Sequence, residues 1–448
     1  MIILTMFAVL LFLLSINVPI AIGLAVTTII AMVLKTGTSF LIDTAIVLFD
    51  GSMKFPLIAI PLFILAGSIM NSAGISRRLI AFASALVGFI KGGLSMINIA
   101  TSMFFAEISG SAVADVAALG SILIPAMKKK GYPGAFAAAV TSSSASLAII
   151  IPPSIPMIVY AVMSQSSVVQ LFVAGIIPGV IGGFFLMLAA YVTARRKNFP
   201  VEETFNIPNV KKTAKDAALA FLLPVIILGG IFGGVVTATE GAGLAVVASL
   251  IIGFIYKEID FKRLYESATE GAIQTASVML LVAASVLLGE FLTIEQIPQK
   301  VAESIIDFTN NKYAVLAILN VFLLIIGFFL HSVAAIILTV PIVMPLVNAV
   351  GIDPVHFGII VTLNLAIGQQ TPPVASVLVT ACSVAKADIW DVTRSNISFI
   401  CVLLVLLLLV TYVPAIPMTL VEYFLSLIHI SEPTRRRGSS YAVFCLKK

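Results

Sequence analysis

Thr141-Ser142-Ser143-Ser144-Ala145-Ser146-Leu147-Ala148-Ile149-Ile150-Ile151-Pro152-Pro153-Ser154 begins among hydroxyl side chains, turns apolar, and runs into two consecutive prolines. A proline inside a helix removes one backbone donor and frees the carbonyl a turn earlier. In hydrocarbon such a carbonyl is costly unless something else satisfies it. The arrangement returns downstream, where Asn364 is followed by Gly368-Gln369-Gln370-Thr371-Pro372-Pro373. The two Pro-Pro pairs are 220 residues apart, and other pairs share that offset: Gly23-Leu24-Ala25-Val26 with Gly243-Leu244-Ala245-Val246, Pro125 with Pro345, and Gly131 with Gly351. One match between apolar sequences arises easily by chance. Several at a single offset, with glycine and proline in set places, define two copies of one unit, at 1–194 and 215–425, joined by a polar linker at 195–214.

Each copy reads the same way. A tight pair of spans (1–16 with 18–34, and 215–233 with 237–256) is followed by one further span at 55–73 or 272–293. A short amphipathic stretch comes next, Ile75 to Lys91 or Glu295 to Lys312. Then an apolar run is interrupted by small polar residues, at 93–128 and 313–350. The spans broken by Pro-Pro occupy 133–163 and 355–385, and a last span closes each copy at 168–194 and 388–414.

Composition agrees with a membrane protein. Of 448 residues, 60% are hydrophobic and 10% charged, and the mean hydropathy is +1.15. A soluble domain carries much more charge. The runs are long enough for helices spanning a hydrocarbon core, and they do not alternate as barrel strands do. The net charge of +5 belongs to loops on one side of the membrane, so nucleic acid is not implied. The apolar start at Met1 lacks a basic leader and reads as a first span. Cys382, Cys401 and Cys445 show no ligand spacing.

Lysine and arginine mark the cytoplasmic side. Arg77, Arg78, Lys91, Lys128 to Lys130, the linker cations, Lys257, Lys262, Arg263, Lys386 and Arg394 fall together on one side, and Lys35, Lys54, Lys300 and Lys312 on the other. This holds only if each interrupted run enters and leaves on the same face, as a re-entrant hairpin. Hairpin 1 then opens to the cytoplasm and hairpin 2 to the periplasm, so the copies are inverted. The expected fold is an all-α polytopic membrane protein with two inverted-topology repeats and two re-entrant helical hairpins. Inverted repeats with broken helices mark secondary transporters.

The hairpin tips are Glu107-Ile108-Ser109-Gly110-Ser111-Ala112, with Asp115 one turn later, and His331-Ser332-Val333. Unwound carbonyls and hydroxyls suit a small hard cation such as Na⁺. A helix N-terminus starting at mid-membrane suits an anion such as a carboxylate. Small and hydroxyl residues also serve simply to let helices approach. The coincidence of polar cluster, Pro-Pro break and recurrence favours a site. Intramembrane ionisable groups are usually functional: Asp115 supports an ion site or bonds between helices, and Glu107 and His331 flank the tips. Glu240 reads as a helix cap, and Glu290 reaches the interface. No catalytic triad, nucleotide-binding glycine loop or metal cluster is present in the sequence, so the expectation is a transporter and not an enzyme, with no cofactor.

At these motifs, together with Ile151-Pro152-Pro153-Ser154 and Gln370-Thr371-Pro372-Pro373, the chain resembles the large membrane subunit (DctM-like, M subunit) of tripartite ATP-independent periplasmic (TRAP) transporters, over nearly its whole length. The resemblance implies a Na⁺-coupled importer of an organic acid in the bacterial inner membrane, working as an elevator. It implies a small four-helix membrane subunit (Q) and a periplasmic substrate-binding protein as partners. Carried over by motif, sodium would be held by Ser109, Gly110, Ser111, Ser146, Ile151 and Pro152, and by Ser332, Val333, Gly368, Gln369 and Thr371. The solute would lie between the tips, at Ser111, Ala112, Asp115, Ser144, Ser332, Ala334 and Gln370. Overall likeness points to the sialic-acid branch, with C4-dicarboxylates or other sugar acids as alternatives. A binding-protein-independent antiporter and a non-transporting scaffold are the readings outside that class. Residues 426–448, with Ser431-Glu432-Pro433-Thr434-Arg435-Arg436-Arg437, have no counterpart in the repeat and read as a non-native tail.

Overall fold

The computed structural model describes residues 6, 8–10, 12, 13, 16, 18–37, 40–201 and 204–426. Most of the expected first span at 1–16, and the tail beyond Ser426, lie outside the described residues, as do the side chains of Glu107, Ile108 and Ser109. The described residues fold as helices: α1 (Ile20–Thr36), α2 (Phe40–Ser52), α3 (Ala59–Ser72), α4 (Ile75–Val87), α5 (Gly93–Ser109), α6 (Ala112–Lys129), α7 (Gly134–Ala145), α8 (Ile155–Ser164) and α9 (Val168–Arg196). The second half gives α10 (Ile207–Phe232), α11 (Ala238–Ile255), α12 (Phe261–Ile294), α13 (Ile297–Phe308), α14 (Lys312–Phe329), α15 (Ser332–Ala349), α16 (Pro354–Gly368), α17 (Ser376–Ala385) and α18 (Ile389–Tyr412). Among the described residues, eight helices are long and apolar enough to cross a membrane, and the chain is a multi-pass membrane protein.

Element bounds recur at the offset read from the sequence. The second arm of hairpin 1, Ala112–Lys129, and that of hairpin 2, Ser332–Ala349, match at 220 residues at both ends. The halves differ around α2. The first half has a separate helix, α2, which the sequence reading did not place as a span. Pro56 stands in a short 3₁₀ turn at Phe55–Ile58 and divides α2 from α3. The second half has Ala276 at the matching position and runs unbroken through the 34 residues of α12. In addition, α10 begins at Ile207, inside the expected linker. Its start carries Pro208 in the first turn, where a missing donor does no harm, and Lys211, Lys212 and Lys215 extend the helix past its apolar part.

The most deeply buried helices are α7, apolar or small all round, and α16, apolar but for His356, Thr362 and Asn364, which are hydrogen-bonded inside; both are buried along nearly their whole length. A helix without a polar face belongs inside. They sit in a body that mixes the halves: α7 packs on α6, α17 and α18, α16 on α14 and α18, and α8 on α15. A second body holds α3 against α11 and α12, with α1 and α2 also on α12. The amphipathic helices α4 and α13 link the two. Each is tied at its start to the second body by an ion pair. Arg77 and Arg78 reach Glu258 at 3.0 and 3.8 Å, and Arg78 lies 3.7 Å over the Tyr256 ring. At the start of α13, Glu295 pairs with Lys35 at the end of α1. The cap expected at Glu240 is present: Thr237 and Glu240 form a reciprocal capping box at the start of α11.

Candidate functional site between two hairpin tips

Hairpin 1 turns over two residues. Gly110 closes α5 in the left-handed region (φ 58°), and Ser111 is extended (φ −136°, ψ 112°) before α6 begins. A β-carbon on Gly110 would lie 3.1 Å from the Pro153 carbonyl oxygen and 3.3 Å from the Ile155 nitrogen, so the tip rests directly on the first break. That break leaves α7 through a 3₁₀ turn at Ser146–Ile149 and re-enters helix at Ile155. The Ser154 hydroxyl donates to the Ile149 carbonyl at 2.7 Å.

Hairpin 2 repeats the plan. Leu330 and His331 are extended between α14 and α15. The second break runs from Gln369 to Ala375, and its Val374 N–H donates to the Phe328 carbonyl at 3.2 Å. Gly368 meets Gly327 so closely that a β-carbon there would lie 2.5 Å from backbone atoms of Gly327. The Pro152–Pro153 and Pro372–Pro373 bonds are both cis.

Tips and breaks converge on one cavity of about 470 Å³. Gly110, Ser111 and Ala112 line it from hairpin 1, and His331, Ser332 and Val333 from hairpin 2, while Ile149, Ile155 and Gln369 come from the breaks. The first turns of α6 and α15 thus open on this space, and the first N–H groups of a helix have no partner within it. The remaining wall comes from the second body. Ser68 and Asn71 of α3 and Glu270, Gln274 and Ser277 of α12 supply its polar groups. No lysine or arginine lines the cavity among the described residues.

The expected site residues divide into two sets. Gly110, Ser111, Ala112, Ser332, Val333 and Gln369 line the cavity, whereas Ser146, Ile151, Pro152, Gly368, Thr371, Asp115, Ser144, Ala334 and Gln370 do not. Many of the latter are held in bonds behind it. Ser146 donates to the Ser142 carbonyl at 3.0 Å, and Ser144 meets Ser102 at 2.9 Å. Gln370 accepts from Ser143 at 2.7 Å and bonds the Ala366 carbonyl at 3.1 Å. Asp115 is fully buried in the first turn of α6, and its N–H donates to the Ser111 carbonyl at 3.0 Å. The Glu107 and Ser109 side chains lie outside the described residues. Glu290 is exposed on α12.

Sequence reasoning missed the α3 and α12 wall. Its signal was present: Glu270, Gln274 and Ser277 stand at spacings of four and three residues, one face of a helix, in a span that is otherwise apolar. Gln369, expected as a sodium residue, lines the cavity as well. That residue is 1% exposed, and neither the nitrogen nor the oxygen of its amide has a hydrogen-bond partner among the described residues. An unmade bond at a buried polar group costs about 1–3 kcal/mol.

Membrane-crossing helices around paired broken segments, with a cavity between two helical tips, define a membrane permease. The chain belongs to the DctM family, the DctM component of tripartite ATP-independent periplasmic transporters, which its residues 6–416 match. The family consists of transporter permeases, not enzymes. The chain is 42% identical over 407 residues to the isethionate TRAP transporter permease protein DctMQ of Oleidesulfovibrio alaskensis, covering 90% of this chain but 64% of that relative's length. It is 40% identical to the C4-dicarboxylate TRAP transporter large permease protein DctM of Pseudomonas aeruginosa, over 84% of this chain and 88% of the relative. The sialic acid TRAP transporter large permease protein SiaM of Vibrio cholerae is 36% identical, over 87% and 91%. In fold, the crystal structure of the Alcanivorax borkumensis YdaH transporter is similar, with a TM-score of 0.61 at 15% identity, covering 84% of this chain and 88% of that one.

Proposed function

We propose that the chain is the large subunit of a Na⁺-coupled symporter that imports an organic acid across the bacterial inner membrane. N-acetylneuraminate (sialic acid) is the first candidate solute. A periplasmic binding protein delivers it, a small membrane subunit (Q) accompanies the chain, and the body carrying both hairpins moves as an elevator against α3, α11 and α12. The carrying observation is the convergence of two hairpin tips and two broken segments on one cavity. The N-termini of α6 and α15 offer donors to a carboxylate. Hydroxyls and carbonyls at 109–111 with 146–152, and at 332–333 with 368–371, offer oxygens to two sodium ions. Na⁺ is cargo here, moved with the solute down its own gradient.

The test is uptake into proteoliposomes holding the chain with its two partner proteins. Uptake of N-acetylneuraminate should require an inward Na⁺ gradient, and equal uptake when K⁺ replaces Na⁺ would remove the proposal's basis. C4-dicarboxylate transport is the second reading, supported by the name of a 40% identical relative, and succinate in the same assay distinguishes it. An ion/organic-anion antiporter without a binding protein would instead move protons or Na⁺ after a pH jump with no organic solute present.

A further inference from the structure

The cavity treats the two ends of a solute differently. One end meets helix N-termini, which carry partial positive charge and unpaired N–H groups. The other end meets the α3 and α12 wall, where the charged group is Glu270. No lysine or arginine of the described residues lines the space, so a second carboxylate on the solute would find no cation and would share the cavity with a carboxylate of the protein.

Gln369 and Gln370 are neighbours in the second break, yet they serve different ends. Gln370 is engaged by Ser143, Asn396 and the Ala366 carbonyl. Gln369 lines the cavity, is 1% exposed, and has neither its amide nitrogen nor its amide oxygen in a hydrogen bond among the described residues. A primary amide supplies donors and an acceptor side by side, the complement of a hydroxyl or acetamido group. Glu270, when ionised, only accepts. It already takes a bond from the Gln274 amide nitrogen at 3.3 Å, with further acceptor capacity for hydroxyl donors.

Resting on the reading of this cavity as the solute site, we propose that Gln369 and Glu270 set its specificity. Gln369 reads a hydroxyl or amide group on the solute, and Glu270 favours hydrogen-bond donors while repelling a second carboxylate. The solute class is a monocarboxylate bearing several hydroxyl or amide groups, and dicarboxylates are disfavoured. A site built to hydrogen-bond a polar group discriminates strongly against a ligand that lacks it, because the site's own groups are then left unpaired.

The experiment measures binding to the purified full chain in Na⁺ buffer, with N-acetylneuraminate and succinate as probes and thermal stabilisation by Na⁺ alone as a parallel readout. The wild type should bind N-acetylneuraminate at least about tenfold more tightly than succinate. Gln369→Leu should raise the N-acetylneuraminate half-saturation by at least about tenfold and leave the Na⁺ response within about twofold, a split that general loosening of the fold would not give. Glu270→Gln, on an exposed face of α12, should improve succinate binding by about tenfold. If Gln369→Leu does not fold, Gln369→Asn, which shortens the amide by one carbon, and Glu270→Gln carry the test. The inference is overturned if the Gln369 variants bind N-acetylneuraminate as the wild type does, if Glu270→Gln leaves the preference unchanged, or if the wild type binds succinate as well as N-acetylneuraminate. A wild type that binds neither probe in Na⁺ overturns the inference, whereas uptake of neither probe in proteoliposomes that also hold the two partner proteins overturns the transport reading itself.

Discussion

Gly368 ends α16 with backbone of Gly327 pressed against it, and a β-carbon there would fall 2.5 Å from Gly327 backbone atoms. Backbone cannot yield as the far end of a flexible side chain can. Gly368→Ala should therefore force α14 and α16 apart and destabilise the chain by about 1–3 kcal/mol, the usual penalty of overpacking. Thermal unfolding in detergent would show a lower midpoint than for Gly229→Ala, whose β-carbon meets nothing within 4 Å. An unchanged midpoint for Gly368→Ala would mean that hairpin 2 does not rest on its break as described. The same neighbourhood shows where residue-level reading from sequence stops. A break has no helical period, so the assignment by motif of Gln370 to the solute and Gln369 to sodium could not tell which glutamine faces the cavity, and it is Gln369 that lines it. Gln369 and Gln370 are separated in role by partners, Ser143 and Asn396, that come from elements far away in the chain.

The elements were more legible than their side chains. The small polar residues at 107–112, interrupting an apolar run, implied a turn between two helices, and the structure has Gly110 at φ 58° with Ser111 extended. The 220-residue offset recurs in the bounds of α6 and α15, because glycine and proline act locally, on backbone conformation, wherever the chain is placed. Helix α2 was not legible as a separate unit: its boundary depends on Pro56, which has no proline partner in the second half. The wall from α3 and α12 was missed because a few polar residues on an apolar helix look like packing residues until the opposite face is known. At the scale of hairpin 1 against its break, Gly110→Ala adds two penalties. An L-residue in the left-handed region is unfavourable by about 1–2 kcal/mol, and its β-carbon would press on Pro153 and Ile155, which are backbone contacts. Since the proposed first sodium site needs tip and break together, Gly110→Ala should raise the Na⁺ concentration for half-maximal uptake several-fold. Its effect on the concentration of solute required at saturating Na⁺ should be smaller. A Na⁺ response equal to the wild type's would separate the tip from ion binding.

For the whole molecule, the two tips and two breaks around one cavity bear on charge movement. Two breaks facing two tips give the proposal two sodium sites, and a cavity without a lining lysine or arginine among the described residues gives it no built-in partner for a second negative group on the solute. Two sodium ions with a monocarboxylate carry one net positive charge inward per cycle, whereas two ions with a dicarboxylate carry none. Moving one charge through 100 mV is worth about 2.3 kcal/mol, which is about 50-fold in an accumulation ratio. In proteoliposomes holding the chain and its partner proteins, at a fixed Na⁺ gradient, a K⁺ diffusion potential with valinomycin can set the voltage independently of the ion gradient. The plateau of N-acetylneuraminate uptake at 100 mV, negative inside, should then exceed the plateau at zero voltage by a factor approaching that ratio, less whatever leak the vesicles allow. Equal plateaus would require an electroneutral cycle, with one sodium ion per monoanion, and the two-site arrangement proposed from the duplicated hairpins would have to be abandoned even if Na⁺ dependence itself remained.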